Sequence, residues 1–417
     1  MQISTTPGAG VADAELIALE AAVRADQAAY LADLERLVNI DCGSYTPAGV
    51  DLVGQFVASF MAARGATVRL VPDPAGRLGQ TVIGTWDGPH GTPGGPRVLL
   101  IGHMDTVFDP GTASERPFAI DADGLARGPG VTDMKSGLLA GLYAVKALAA
   151  GGPLPFERLT YVANPDEEIG SPTSTPHIRE IAAQSEVCLV LECARANGDI
   201  VSSRKGILDA RVTVTGRAAH AGVEPEKGRS AILAAADLVT RLHALNGRWD
   251  GVTINVGVID GGTRPNVVAE RCSFEVDVRA VRRADLEAAE AEIRAMLGSL
   301  LVADTSAELE PMARWWPMEK LERSGRLVEH AQALARRLGF EVRDAATGGA
   351  SDANTTAGLG VASIDGLGPI GGMDHSPAEY LEVASIVPRT TLLAGLLLAI
   401  GRDPVVREWR VTGPVVR

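Results

Sequence analysis

The stretch LLIGHMDTV, residues 99–107, runs an apolar segment straight into an imidazole and a carboxylate. Leu99, Leu100 and Ile101 read as a buried strand, since a short apolar run bounded by turn residues is a strand candidate. Side chains alternate along a strand, so His103 and Asp105 are expected to point the same way at its end. Two readings are open at this point. One is a hydrogen-bonded His–Asp pair; the other is a metal-binding His oriented by a carboxylate behind it.

On either side of this strand the pattern alternates. Apolar residues recur at helical spacing from Ala14 to Ile40 and again from about Val50 to Ala63. Strand-like runs follow at ATVRLV, QTVIGTW and RVLLIGH, with the turn-rich GPHGTPGG between the last two. A helix is expected from about Lys135 to Ala150, then a strand RLTYVANP, a short helix near Ile178–Gln184, and a strand VCLVLE. This alternation predicts an α/β sheet covered on both faces.

From about Gly206 to Trp316 the order changes to β-α-β-β-α-β, which is the split βαβ, ferredoxin-like arrangement. The expected division is therefore a discontinuous α/β domain, residues 1–205 and 317–417, interrupted by an inserted α+β domain, residues 206–316. With 417 residues the chain is too long for one ordinary core.

Composition narrows the class. Apolar residues make up 46% and charged residues 22%, as in a globular protein. A net charge of −13 without a Lys/Arg block argues against a nucleic-acid surface. Cys42, Cys188, Cys193 and Cys272 form no CxxC and read as reduced thiols in or near the core. No basic or apolar leader opens the sequence, and TTLLAGLLLAIG reads as a buried helix too short to span a membrane, so a cytoplasmic location is expected.

Polar groups recur where strands are expected to end: His103 and Asp105; Asp133 in GPGVTDMKSG; Asp166, Glu167 and Glu168 in NPDEEIGS; Glu192 in LECA. His375 follows in the loop GGMDHSPAEY. In open α/β sheets, sites form at the carboxyl ends of strands. Two imidazoles among several carboxylates suit a borderline cation such as zinc better than Ca²⁺ or Mg²⁺. GLGPIG matches a dinucleotide fingerprint, but no helix follows it. No GxSxG elbow provides a serine nucleophile. A non-catalytic metal-binding protein is the reading of another class, and it predicts a damaged site, most simply the loss of one of these groups.

These motifs, with RAAHAG, EVDVRA and TGGASDAN, resemble in order and spacing the M20 family of dinuclear zinc metallopeptidases, and most closely its glutamate carboxypeptidase branch. The resemblance implies a three-layer zinc-exopeptidase catalytic domain with a lid and dimerisation domain inserted in it. It implies two Zn²⁺ per subunit, with Co²⁺ or Mn²⁺ as substitutes. His103 and Glu192 would complete one site, Glu168 and His375 the other, and Asp133 would bridge them. Glu167 would be the general base, Asp105 would orient His103, and the Asp133–Met134 bond would be cis. His220 and Asn266 would stabilise the tetrahedral intermediate, and His220 would be supplied across a homodimer. Arg279 would bind the substrate carboxylate, with Gly348, Gly349 and Ser351 bordering the same pocket. Hinges are expected near Lys205–Gly206 and Trp316–Pro317.

The implied reaction is hydrolysis of an amide next to a free C-terminal carboxylate. The alternative is an aminoacylase acting on N-acyl amino acids. RWWPME, residues 314–319, departs from the branch. If Trp315 or Trp316 reaches the pocket, the substrate carries an apolar or aromatic portion. His90, His177, His243 and His330 are expected to be structural or solvated.

Overall fold

The computed structural model describes residues 6–410. The chain divides into two compact units. The first comprises the residues up to Ser202, Lys320–Ala346 and those from Ser351 onward; the second comprises Ser203–Glu319 and Thr347–Ala350. This division falls three residues outside 206–316 at each end, and hydrogen bonding explains why. Arg204 and Met318 exchange backbone hydrogen bonds (3.1 and 3.0 Å), and the Lys205 N–H donates to the Thr347 carbonyl (3.1 Å).

The first unit is built on a six-stranded sheet in the order Thr67–Val71, Thr81–Trp86, Arg158–Asn164, Arg97–His103, Val187–Val190, Ala362–Ile364. The last four are mutually parallel and the first two antiparallel. Leu99, Leu100 and Ile101 are fully buried, as a parallel strand covered on both faces requires. Each contributes roughly 2 kcal/mol of burial. The helices Ser136–Ala149 and Ile386–Arg402 pack on one another, with Asp13–Ala25 against both.

Two sequence expectations change here. The helical stretch 14–40 is two helices, Asp13–Ala25 and Gln27–Val38, parted at Asp26. The expectation that the stretch around TTLLAGLLLAIG is too short for a membrane span also changes: Val383–Arg402 has that length and apolarity, and its apolar stretch is 83% buried in the fold. It packs in the core of the first unit, which accounts for its composition.

The second unit is a four-stranded antiparallel sheet in the order Thr253–Gly261, Arg271–Ala280, Gly206–Thr215, Ser306–Trp315. The helices Ala231–His243 and Arg283–Leu297 cover one face, over Leu208, Ala210, Val212, Phe274, Val276 and Val278. This is the expected ferredoxin-like order. All four cysteines are free, three buried and Cys193 partly exposed.

Candidate metal centre

Three of the parallel strands end at one edge of the first unit's sheet. His103 closes its strand directly opposite Asn164, and Ile101 lies opposite Val190. Asp166–Glu168 therefore leave one strand, and Glu192 leaves the next, at the level of His103. The helix Ser136–Ala149 packs closely on this edge: a Cβ on Gly137 would lie 1.8 Å from the Leu191 carbonyl oxygen. Just before that helix, Gly130 adopts φ 70°, and a Cβ there would meet the Thr106 methyl at 2.5 Å. The tight turn it permits presents Asp133 to the same edge. The Asp133–Met134 peptide bond is cis.

Asp133 is shared between two imidazoles. Its Oδ1 lies 3.1 Å from His103 Nε2 and its Oδ2 3.1 Å from His375 Nε2. His375 Nε2 also lies 3.1 Å from Glu168 Oε2, and His103 Nε2 lies 3.7 Å from Glu192 Oε1. Two overlapping groups offer ligand atoms within 4.8 Å of one another: His103, Asp133 and Glu168; and His103, Glu167 and Glu192. Both adjacent glutamates thus reach the cluster. His375 stands in the left-handed region at φ 59°, a conformation with a cost that a non-glycine residue bears mostly at functional sites.

Asp105 does more than orient an imidazole. His103 Nδ1 meets the Asp105 backbone carbonyl at 3.0 Å and its carboxylate at 3.3 Å. The carboxylate itself accepts the backbone N–H groups of Glu167 (3.1 Å) and Glu168 (3.2 Å) and the Ser44 hydroxyl (2.6 Å). It is fully buried and holds the turn that carries both glutamates.

Sequence reasoning missed Glu379. Its buried carboxylate accepts backbone N–H groups from Gly130 (2.9 Å), Thr132 (2.9 Å) and Asp133 (3.1 Å), clamping the turn that presents Asp133. A small antiparallel sheet delivers it, in which Tyr380–Glu382 pairs with Leu125–Arg127. Asp352 was missed as well. Buried at the start of a helix, it accepts from Asn164 (2.6 Å) and Ser171 (2.7 Å) behind the glutamate turn.

Burial acts most strongly on the carboxylates of the site, and their charged neighbours modify its effect. Burial raises Glu167 well above the ordinary carboxyl range, and Glu192, Asp352 and Glu168 add to that. Burial likewise raises Glu168, against the contact with His375. Burial opposes ionisation of Asp133, yet the two imidazoles hold it well below the usual range. His375 is pushed up to about 11 by Asp133 and Glu168. Carboxylates in excess, partly or fully buried and facing one another, call for a cation, and this N/O donor set fits a zinc-like one.

The remaining expected site residues, Ser351 apart, lie in the second unit. Arg279 donates through Nε to Asp277 (3.1 Å) and through Nη1 to the Gly348 carbonyl (2.9 Å). Gly349 accepts from Arg204 (3.1 Å). His220 and Asn266 are exposed neighbours, joined by a hydrogen bond from Ala221 N–H to the Asn266 carbonyl (3.0 Å). They lie beyond the sheet end where Thr215 meets Arg271, whereas Arg279 pairs with Ile207 at the other end. Eight residues of strand separate these ends, about 26 Å at roughly 3.3 Å per residue. One copy of this unit therefore does not bring His220 and Asn266 to Arg279. Ser351, in the first unit, caps the helix Asp352–Ala357 and donates to Asp365 (2.6 Å). His330 is structural: its ring bonds the Gly8 N–H (2.9 Å) and Asp403 (2.8 Å).

Residues 99–399 match the peptidase family M20/M25/M40, a span that covers the whole cluster and the second unit. The chain belongs to the M20 peptidase family. It is 32% identical to carboxypeptidase G2 of a Pseudomonas strain over 385 residues, covering 90% of each chain. It is 27% identical to a succinyl-diaminopimelate desuccinylase of Leptothrix cholodnii over 359 residues, covering 80% of this chain and 89% of the relative. Aminopeptidase PepT of Bacillus cereus shares the fold, with a TM-score of 0.74 at 22% identity, over 90% of this chain and 98% of that one. The M20 chain is thus a metallo-hydrolase. Members typically bind two metal ions, and the two overlapping His/Asp/Glu groups are the candidate sites here.

Proposed function

We propose that this M20 hydrolase cleaves an amide bond adjacent to a free C-terminal carboxylate, with Glu167 as general base. The observation that carries this reading is the division of labour around Asp133: one carboxylate faces two imidazoles, and Glu167 and Glu168 stand side by side on one anchored turn. His103, Asp133 and Glu192 would hold one cation, and Asp133, Glu168 and His375 the other. Two bound Zn²⁺ ions would polarise the scissile carbonyl and acidify an attacking water.

Glu167 would take a proton from the attacking water and deliver it to the leaving amine. Its partly buried, acid-crowded setting supports this, because a carboxyl with a raised pKa is both a willing proton acceptor and a usable donor. Asp105 holds the Glu167 backbone and the His103 ring in mutual register. Arg279 is assigned to the substrate carboxylate, whose planar pair of oxygens a guanidinium matches. Gly348 and Gly349 border it.

His220 and Asn266 are assigned to the oxyanion in a partner subunit's site, since Arg279 of their own chain lies at the opposite sheet end. The dimer contact is proposed through the edge strand Thr253–Gly261 and helix Ala231–His243, which expose Val258, Ile259, Ile232 and Leu233. An N-acyl amino acid is an equally good substrate for this chemistry, because only the acyl group differs. The relatives named for carboxypeptidase and for desuccinylase activity support both forms.

The test compares each N-acyl amino acid as free acid and as carboxamide, with zinc-loaded enzyme. Hydrolysis confined to the free acids supports the reading, and equal rates on both forms refute it.

A further inference from the structure

Trp315 and Trp316 are adjacent in sequence and opposite in orientation. Register in the second unit's sheet separates them. Trp315 lies directly across from Ile207, and Ile207 directly across from Arg279. Residues directly opposite in an antiparallel sheet share a face. Leu208 and Val278, one residue along, are buried against the helices, so Ile207, Arg279 and Trp315 stand on the helix-free face. All three are partly exposed. Trp316 belongs to the helix side, where Arg283 stacks 4.0 Å from its ring centroid and the ring packs on the unit's core. A bulge between Pro311 and Ala313 sets this parity.

We infer that Ile207 and Trp315 form an apolar platform beside Arg279 that selects substrates whose carboxylate-bearing residue has an aromatic or large aliphatic side chain. The inference rests on the proposed role of Arg279 as the carboxylate-binding group. Neighbouring strands lie about 4.8 Å apart, so Ile207 begins one strand from the arginine and Trp315 roughly 10 Å away. In an N-acyl amino acid, three substituents leave the α-carbon besides hydrogen. The proposed function assigns the carboxylate to Arg279 and commits the amide to hydrolysis. Only the side chain is left to lie along the sheet.

The same face disfavours a second substrate carboxylate. Asp277 is bound to Arg279, and Asp209 lies directly opposite Asp277. Arg211 is paired with Glu275 at 2.7 Å. Burial and the charge of Asp277 push Asp209 up to about 6, a sign of how crowded the acids are. A glutamate side chain would meet like charge here, which is selection by repulsion as well as by contact.

The test uses N-acyl derivatives of phenylalanine, leucine, alanine and glutamate that share one acyl group. For the wild type, kcat/KM is expected to favour phenylalanine and leucine over glutamate by tenfold or more. In Trp315→Ala, the phenylalanine-to-alanine ratio should fall by roughly tenfold, the size of a lost apolar contact, mainly through KM. Trp315→Phe should restore it. Preference for glutamate in the wild type, or an equal loss on all four substrates in Trp315→Ala, overturns the inference.

Arg279→Ala and the carboxamide of the phenylalanine substrate separate this from the reading beneath it. If the free acid and Arg279 are required but the ratio ignores Trp315, the platform alone fails. If acid and amide react alike, the role of Arg279 fails and the platform with it.

Discussion

The Asp105 carboxylate accepts the backbone N–H of Glu167 at 3.1 Å, while the same residue's carbonyl meets the ring of His103 at 3.0 Å. One buried aspartate therefore fixes the proposed base and a proposed ligand relative to each other. Asp105→Ala releases the glutamate turn and removes the 3.3 Å carboxylate contact to the ring, while the backbone carbonyl that meets the ring remains. Metal affinity, measured by titration against a competing chelator, is expected to drop by about 10- to 100-fold. Unchanged affinity would reduce Asp105 to a packing group.

Subunit exchange tests the separation of His220 from Arg279 by about 26 Å of sheet. Glu167→Gln and His220→Ala are each expected to be inactive alone. Unfolded together and refolded, they should regain part of the wild-type activity. A mixed dimer then holds one site with both an intact Glu167 and a partner's His220. No recovery from dimers shown to be mixed would return His220 to the surface.

Asp209 gives a pH-dependent stability effect of defined sign. Its folded-state pKa, about 6, lies above the ordinary 3.9 or so. The folded state therefore binds the extra proton between these values, and stability falls as pH rises through that window. Above it the ionised carboxylate is a standing cost, on the order of 1 kcal/mol once solvent screening of a half-exposed group is allowed for. Asp209→Asn should raise Tm by about 2 °C at pH 8, with the gain vanishing near pH 4. A gain that is constant with pH would assign the effect to something other than charge.

Much of the centre was legible because each piece is local. An apolar run ending in His103, or in the acids after Asn164, marks a strand end, and parallel strands end together. Glu379 was illegible for the opposite reason. Its contacts with Gly130, Thr132 and Asp133 depend on pairing between Tyr380–Glu382 and Leu125–Arg127, about 250 residues apart in sequence, in strands of three residues each. Short strands carry too few side chains to show a period. The break at Asp26 was hidden because apolar spacing continues across it from Val23 to Tyr30. The tryptophans needed register. Alternation from the start of Ser306–Trp315 gives the wrong face, since the bulge after Pro311 shifts every later side chain by one.

Turnover and metal content of Glu167→Gln, measured on one preparation, bear most directly on the proposed mechanism. With Glu168, Glu192, Asp133 and both imidazoles untouched, two metal ions per chain should remain. Hydrolysis of the best substrate should fall by at least 10²- to 10⁴-fold, the usual contribution of a general base. Retained activity, or loss of a metal ion from the variant, would contradict the assignment and mean that Glu167 is a ligand and its neighbour the base.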